Sequence, residues 1–176
     1  MSRDRLTKGN MEFVHKYDIG RLKELQKGQS PHSCVITCSD SRVCPEHIFN
    51  ADLGDIFVIR TAGNVVVDPT VLGSIEYAVA HLKVPVVVVL GHSNCGALTA
   101  AMGDAPDGNA GKMVRYLQEM DMEGDLDDLV VRNIHRQMDE LRNLSSVVRD
   151  AESAGDTSLV GAVYDLGDGT VRFMED

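Results

Sequence analysis

Two short stretches of this chain gather the side chains that bind metals and handle protons. Cys38-Ser39-Asp40-Ser41-Arg42 puts a thiol, a carboxylate and a guanidinium close together, and Gly91-His92-Ser93-Asn94-Cys95-Gly96 adds an imidazole and a second thiol. Thiolate sulfur and imidazole nitrogen are the ligands zinc prefers, and three protein ligands leave a fourth position for water or substrate. A His-x-x-Cys pair alone is a weak signal. Joined to Cys38 it becomes a candidate ligand set of Cys38, His92 and Cys95. A structural zinc site would want a fourth Cys or His. Cys34 lies four strand residues from Cys38, a span of ~13 Å and too far to share one ion, so it reads better as a small buried apolar side chain. Spacing leaves Cys44 open. Asp40 and Arg42, two apart on a loop, can form a bidentate pair; the plainer alternative is a surface salt bridge worth little.

Positioning these residues falls to three β-branched runs: Cys34-Val35-Ile36-Thr37, Ile56-Phe57-Val58-Ile59 and Val86-Val87-Val88-Val89-Leu90. The last is apolar throughout, as a central strand covered on both faces should be. Thr70 to Leu82 carries Val71, Ile75, Val79 and Leu82 at helical spacing between the second and third runs. Strand, helix, strand in that order predicts a parallel sheet with right-handed crossovers. In such sheets functional residues collect where strands end and helices begin. Thr37–Arg42 directly follows the first run and Leu90–Gly96 the third. If those strands are neighbours, their C-terminal ends bring the three candidate ligands together. Cys95 also opens a predicted helix (Cys95 to Met102), where backbone N–H groups favour a thiolate.

Residues 3–28 read as a polar helix or helix pair with a sparse apolar stripe (Leu6, Phe13, Val14, Ile19, Leu22, Leu25), too weak for a core of its own and suited to lying on a second subunit. Residues 103–112 read as a loop by composition. One long amphipathic helix is predicted over 126–150, with Leu126, Leu129, Val130, Ile134, Met138, Leu141, Leu144 and Val148 on one side. Leu159–Tyr164 and Val171–Met174, joined through Gly167-Asp168-Gly169, predict a terminal hairpin. The expected architecture is α/β: a mostly parallel sheet of about four strands plus an antiparallel C-terminal edge strand, flanked by helices, with an N-terminal helical arm. The whole of 1–176 is expected to be one domain, with 1–28 packing on a partner subunit.

Length and 43% apolar content suffice for a single core. Net charge is −10, from 27 acidic and 17 basic residues, which argues against nucleic-acid and anionic-membrane partners, since both need basic patches. No stretch approaches the ~18 apolar residues of a membrane span, and the charged start lacks a signal-peptide core. A cytoplasmic protein is expected, and its four cysteines are then expected as thiols or ligands rather than disulfides.

The residues that carry this chemistry resemble a known family. Cys38-Ser39-Asp40-Ser41-Arg42-Val43-Cys44-Pro45, Arg60-Thr61-Ala62-Gly63-Asn64-Val65-Val66, Gly73-Ser74-Ile75-Glu76-Tyr77-Ala78-Val79 and Gly91–Gly96 are similar, in order and spacing, to the signature blocks of β-class carbonic anhydrases. The likeness extends from Gln29-Ser30-Pro31, as in plant-like members, to Val160-Gly161-Ala162-Val163-Tyr164-Asp165, and is weakest over 103–130. It implies one Zn2+ per chain on Cys38, His92 and Cys95, with Asp40 and Arg42 as the catalytic dyad. It further implies that Gln29 donates a hydrogen bond to substrate or bicarbonate and that Phe57, Ala62 and Gly96 line the carbon dioxide pocket. Tyr77 is implied to reach in from a neighbouring subunit of a homodimer or tetramer. Some members carry a Trp near the position of Val35 as part of a second bicarbonate site that closes the metal centre. This chain contains no Trp, so that device is expected to be missing.

The activity so implied is reversible hydration of carbon dioxide to bicarbonate and a proton by hydroxide generated on zinc. His15, His32, His47, His81 and His135 are candidate proton shuttles by type only. Alternatives are hydrolysis of carbon disulfide or carbonyl sulfide on the same scaffold, or a zinc-stabilised structural protein that leaves Asp40, Arg42 and Gln29 as coincidence. A thiol redox enzyme is disfavoured because the chain lacks a Cys-x-x-Cys pair. Two thiolates donate more negative charge than two imidazoles, so this ligand set should acidify bound water less than a three-histidine site does. Hydration activity should therefore rise towards alkaline pH, and a flat profile from about pH 6 to 9 in saturating buffer would contradict the ligand assignment.

Overall fold

The computed structural model describes residues 2–175. The chain divides after Ser30 into two compact units. The first holds two helices, α1 (Ser2–Lys16) and α2 (Ile19–Leu25), matching the expected helix pair. Neither has a buried residue. Asp18 caps α2 through its carboxylate, which accepts from the Gly20 N–H at 2.8 Å.

The second unit is built on a five-stranded sheet: β1 (Ser33–Cys38), β2 (Ile56–Thr61), β3 (Val86–His92), β4 (Ser158–Tyr164) and β5 (Val171–Phe173), in the order β2-β1-β3-β4-β5. The first four run parallel and β5 is the antiparallel edge, as the sequence predicts. The crossover between β2 and β3 is α4 (Pro69–Ala80), started by Pro69 and by Asp68, whose side chain accepts from the Thr70 N–H. Between β1 and β2 sits a single short turn of helix, α3 (Pro45–Ile48), which the sequence reading did not anticipate.

On one face of the sheet Cys34, Ile36, Val87, Val89 and Leu159 meet helices α4, α5 (Gly96–Ala101), α6 (Gly108–Gln118), α7 (Leu126–Leu144) and α8 (Ser146–Ala154). The other face carries a smaller cluster of Val35, Val88, Leu90 and Ala162, covered by Val43 with Ile48 and Phe49 packed against it. Burial on both faces explains why the Val86–Leu90 run shows no alternation.

Two expectations fail. Residues 108–112, expected in the loop, instead open a helix that runs on to Gln118. Two glycines and an asparagine open α6, all poor helix formers, so composition pointed away from a helix. The buried Val114 and Leu117 hold it in place instead. Gly111 is required there, because a Cβ would lie 1.6 Å from the Pro106 carbonyl oxygen. The long helix expected over 126–150 is two helices. Ser145 breaks it with extended backbone (φ −119°, ψ 109°) and caps α8, its hydroxyl accepting from the Val148 N–H and donating to Glu76 Oε1 at 2.7 Å. The apolar stripe runs through the break, which hid it; Leu144, counted on that stripe, is half exposed.

Helix α7 lies close on the sheet because β3 and β4 present glycines to it. A Cβ at Gly91 would stand 2.7 Å from Ile134 Cδ1 and 3.0 Å from Val130, and one at Gly161 would stand 2.8 Å from Ile134. Filling that space should push α7 away. Gly91→Val is expected to lose about 1–3 kcal/mol of stability, read by chemical denaturation; a variant as stable as its parent would show that the helix does not need this close approach.

Candidate metal centre and catalytic dyad

Adjacency of β1 and β3 creates the site. Thr37 pairs with Leu90, and its hydroxyl donates to the Leu90 carbonyl at 2.9 Å, locking the two C-terminal ends side by side. Cys38 ends β1, His92 ends β3, and Cys95 occupies the N-cap of α5 two residues beyond Ser93. The three are buried, and one ligand atom from each lies within 4.8 Å of the others. The three residues picked from two separate loops do converge. Among the described residues no further Cys or His joins them; Cys44, left open by spacing, instead lies 3.5 Å from Glu46. Cys34 is fully buried among apolar side chains, and that burial pushes its thiol up to about 12, in keeping with a packing role.

The chemistry of this donor set fits a cation. His92 Nδ1 lies 2.8 Å from the Ser93 carbonyl; a carbonyl only accepts, so in the neutral imidazole, the form that binds a metal, Nδ1 carries the proton and Nε2 keeps the lone pair. That Nε2 is buried with no hydrogen-bond partner. An orphaned acceptor is costly inside a protein, and here it faces two sulfurs. The Cys95 thiol, hydrogen-bonding to Cys38, holds Cys38 well below the usual thiol range and is itself pushed up. Cys38 is further favoured by backbone N–H groups of Gly63 and Asp40. Burial works against a charged imidazole at His92, but the Cys38 thiolate and the Ser93 carbonyl outweigh it and raise its pKa.

Beside the candidate ligands, Asp40 and Arg42 form the bidentate pair the spacing allowed. Arg42 Nε donates to Asp40 Oδ1 at 3.0 Å and Nη2 to Oδ2 at 2.7 Å, and the Arg42 backbone N–H adds a third bond to Oδ1 at 2.9 Å. The Arg42 side chain, through these bonds, holds the Asp40 carboxyl well below the usual carboxylate range. Its charge therefore stabilises the fold above the ordinary value of ~3.9 and is lost only as pH falls through the lower folded one. Arg42 Nη2 also donates to the Asn94 carbonyl at 3.1 Å, tying the first loop to the second. From the β2 side, Arg60 donates to the carbonyls of Cys38 (3.2 Å) and Asp40 (2.7 Å).

Sequence reasoning assigned no role to Arg60, Gly63, Asn64 or Asn94. The last three have positive φ, and the Gly-Asn pair at 63–64 was a readable turn signal. Ala62 opens the short 3-10 turn Ala62–Asn64 after β2, and Gly96 opens α5. The two segments meet, since a Cβ at Gly63 would come 3.2 Å from that of Ala97. Phe57 and Tyr77 are neighbours with ring centroids 6.2 Å apart, Tyr77 being 45% exposed. Gln29 follows α2 in the N-terminal unit.

Fold and site together define an α/β protein with a buried Cys-His-Cys centre flanked by an aspartate–arginine pair. A family model described as carbonic anhydrase matches residues 33–171. "Carbonic anhydrase 2" of Mycobacterium tuberculosis is 39% identical over 181 aligned residues, covering 93% of this chain and 87% of that one. Among solved structures, the β-carbonic anhydrase CcaA superposes with a TM-score of 0.89 at 27% identity, covering 99% of this chain and 96% of that one. One described as a tetrameric β-carbonic anhydrase of Sordaria macrospora gives 0.81 at 28% identity, covering 99% and 94%. The chain belongs to the carbonic anhydrase family, and its fold is that of the β class.

Removing a ligand should remove the metal. Cys38→Ala and His92→Ala are each expected to come through dialysis with little zinc while the parent keeps about one per chain, measured by elemental analysis; full zinc retention in either would reject that residue as a ligand.

Proposed function

We propose that this protein catalyses the reversible hydration of carbon dioxide to bicarbonate, with one zinc ion held by Cys38, His92 and Cys95. The observation that carries this reading is the convergence of one buried ligand atom each from Cys38, His92 and Cys95 within 4.8 Å of one another, with His92 Nε2 lacking a hydrogen-bond partner. Bound there, zinc lowers the pKa of a water ligand from ~15.7 towards ~7 and so provides a nucleophile near neutral pH.

The chain's own residues supply orientation. With both oxygens of Asp40 held by Arg42, the carboxylate stays ionised and can only accept hydrogen bonds. It is thus suited to accept a hydrogen bond from the attacking oxygen nucleophile and aim a lone pair at the substrate carbon. Arg42 keeps that carboxylate turned away from the ligand set. Ala62 and Gly96 would leave room for a small apolar substrate, and Phe57 and Tyr77 would wall it. Those two rings lie side by side, so whichever subunit's pocket receives Tyr77 receives Phe57 as well. Gln29 would donate to a substrate oxygen.

We further propose self-association as a dimer or tetramer through the N-terminal helices. Leu6, Met11, Val14 and Ile19 are between 49 and 76% exposed there, and a structural relative is described as tetrameric. No helix among the described residues is long and apolar enough to cross a membrane. We propose a cytoplasmic location and no nucleic-acid partner, the net charge of −10 supporting the second.

Zinc content and carbon dioxide hydration measured on one purified sample test the proposal, with carbonyl sulfide and carbon disulfide assayed in parallel. Metal without hydration, or faster turnover of a sulfur substrate, would reject it. Arg42→Ala should keep its zinc and lose roughly 10–100-fold or more in turnover, because Asp40 is released to turn towards the ligands. Full activity in that variant would remove the dyad from the mechanism.

A further inference from the structure

We infer that Asn133 and Gln137, two buried amides one turn apart on α7, are positioning residues of the metal centre: they hold the turn after β2 so that the Gly63 N–H stays on the Cys38 sulfur. The inference rests on reading Cys38 as a zinc ligand.

The turn over 62–66 has two consecutive left-handed residues, Gly63 (φ 67°) and Asn64 (φ 47°), a conformation that a non-glycine residue holds only when its surroundings impose it. Helix α7 grips both ends. The Val66 N–H donates to Gln137 Oε1 at 3.0 Å, Gln137 Nε2 donates to Asn133 Oδ1 at 2.9 Å, and Asn133 Nδ2 donates to the Gly63 carbonyl at 2.9 Å. Chain polarity fixes both amide orientations, because a backbone N–H only donates and a carbonyl only accepts. Asn133 is 1% and Gln137 0% exposed, so each bond lies out of water, where an unmade one is costly. The held turn delivers the Gly63 N–H to Cys38 Sγ at 3.4 Å.

A role in packing alone would be served by apolar residues of equal volume, without the desolvation of two amides. What apolar residues cannot do is hold a carbonyl and an N–H three residues apart in one turn. A hydrogen bond to a ligand sulfur fixes its direction and draws off some of its charge, and such supporting contacts typically matter 10–100-fold in metal affinity.

Wild-type protein loaded with cadmium-113 should show scalar coupling between the metal and the Gly63 amide proton, transmitted through the Cys38 sulfur. Metal uptake without that coupling overturns the inference and leaves the metal centre intact, whereas failure to take up metal would reject the centre itself. Asn133→Leu and Gln137→Met keep side-chain volume. Each should weaken zinc against a competing chelator by roughly 10–100-fold and shift the thiolate-to-metal charge-transfer band of the cobalt(II) protein. Met138→Ala, on the same helix but facing Gly161, should lower the melting temperature with affinity and cobalt spectrum unchanged. Wild-type affinity and spectrum in both amide variants, or equal shifts in Met138→Ala, would overturn the inference. Should both amide variants fail to fold, the cadmium coupling decides it.

Discussion

Two thiols and an imidazole lone pair share one buried pocket, and each is awkward there without a positive charge between them. A thiolate is desolvated by burial, a second beside it is repelled, and the nitrogen has nothing to accept from. One cation would satisfy all three at once. Every other polar contact around the pocket makes sense as a way of keeping these groups in place against their own preference for water.

The surrounding contacts work as cross-links between separate loops. Arg42 reaches from the end of β1 to the Asn94 carbonyl beyond β3, and Arg60 reaches from β2 to the carbonyls of Cys38 and Asp40. A loop crossed by few bonds opens readily. Here three strand ends are laced together by guanidinium forks, whose planar geometry lets one side chain bond two groups at fixed angles. Asp40 gains a constant charge and a constant direction from the same device. Orientation of this kind is what a small, uncharged substrate requires, since it offers few handles of its own.

Helix α7 joins this scheme through steric rather than polar means. Glycines at 91 and 161 let it settle against β3 and β4, and that depth of contact brings Asn133 and Gln137 within reach of the turn over 62–66. Chain segments about seventy residues apart thus meet because side chains are missing from the sheet. Packing sets the distance, and hydrogen bonds then use it.

Much of this was readable from residue types. β-Branched runs followed by clustered Cys, His and Asp placed the ligands at strand ends, and the intervening helical spacing made the sheet parallel. The likeness of four blocks to one family suggested roles for Asp40 and Arg42, which form the bidentate pair their spacing allows. Periodicity is a local signal, so it failed where local preference and tertiary demand diverged. Gly108, Asn109 and Gly111 look like loop, yet buried Val114 and Leu117 impose a helix, while an unbroken stripe across 126–150 conceals the turn at Ser145. Only the folded chain could show that Arg60, Asn94, Asn133 and Gln137 attend the site. Each of these bonds joins a side chain to a backbone group distant in sequence, and a backbone carbonyl or N–H leaves no mark in the string of side chains. The sequence by itself determined which atoms could hold a metal; three-dimensional packing decided which other atoms hold those in place.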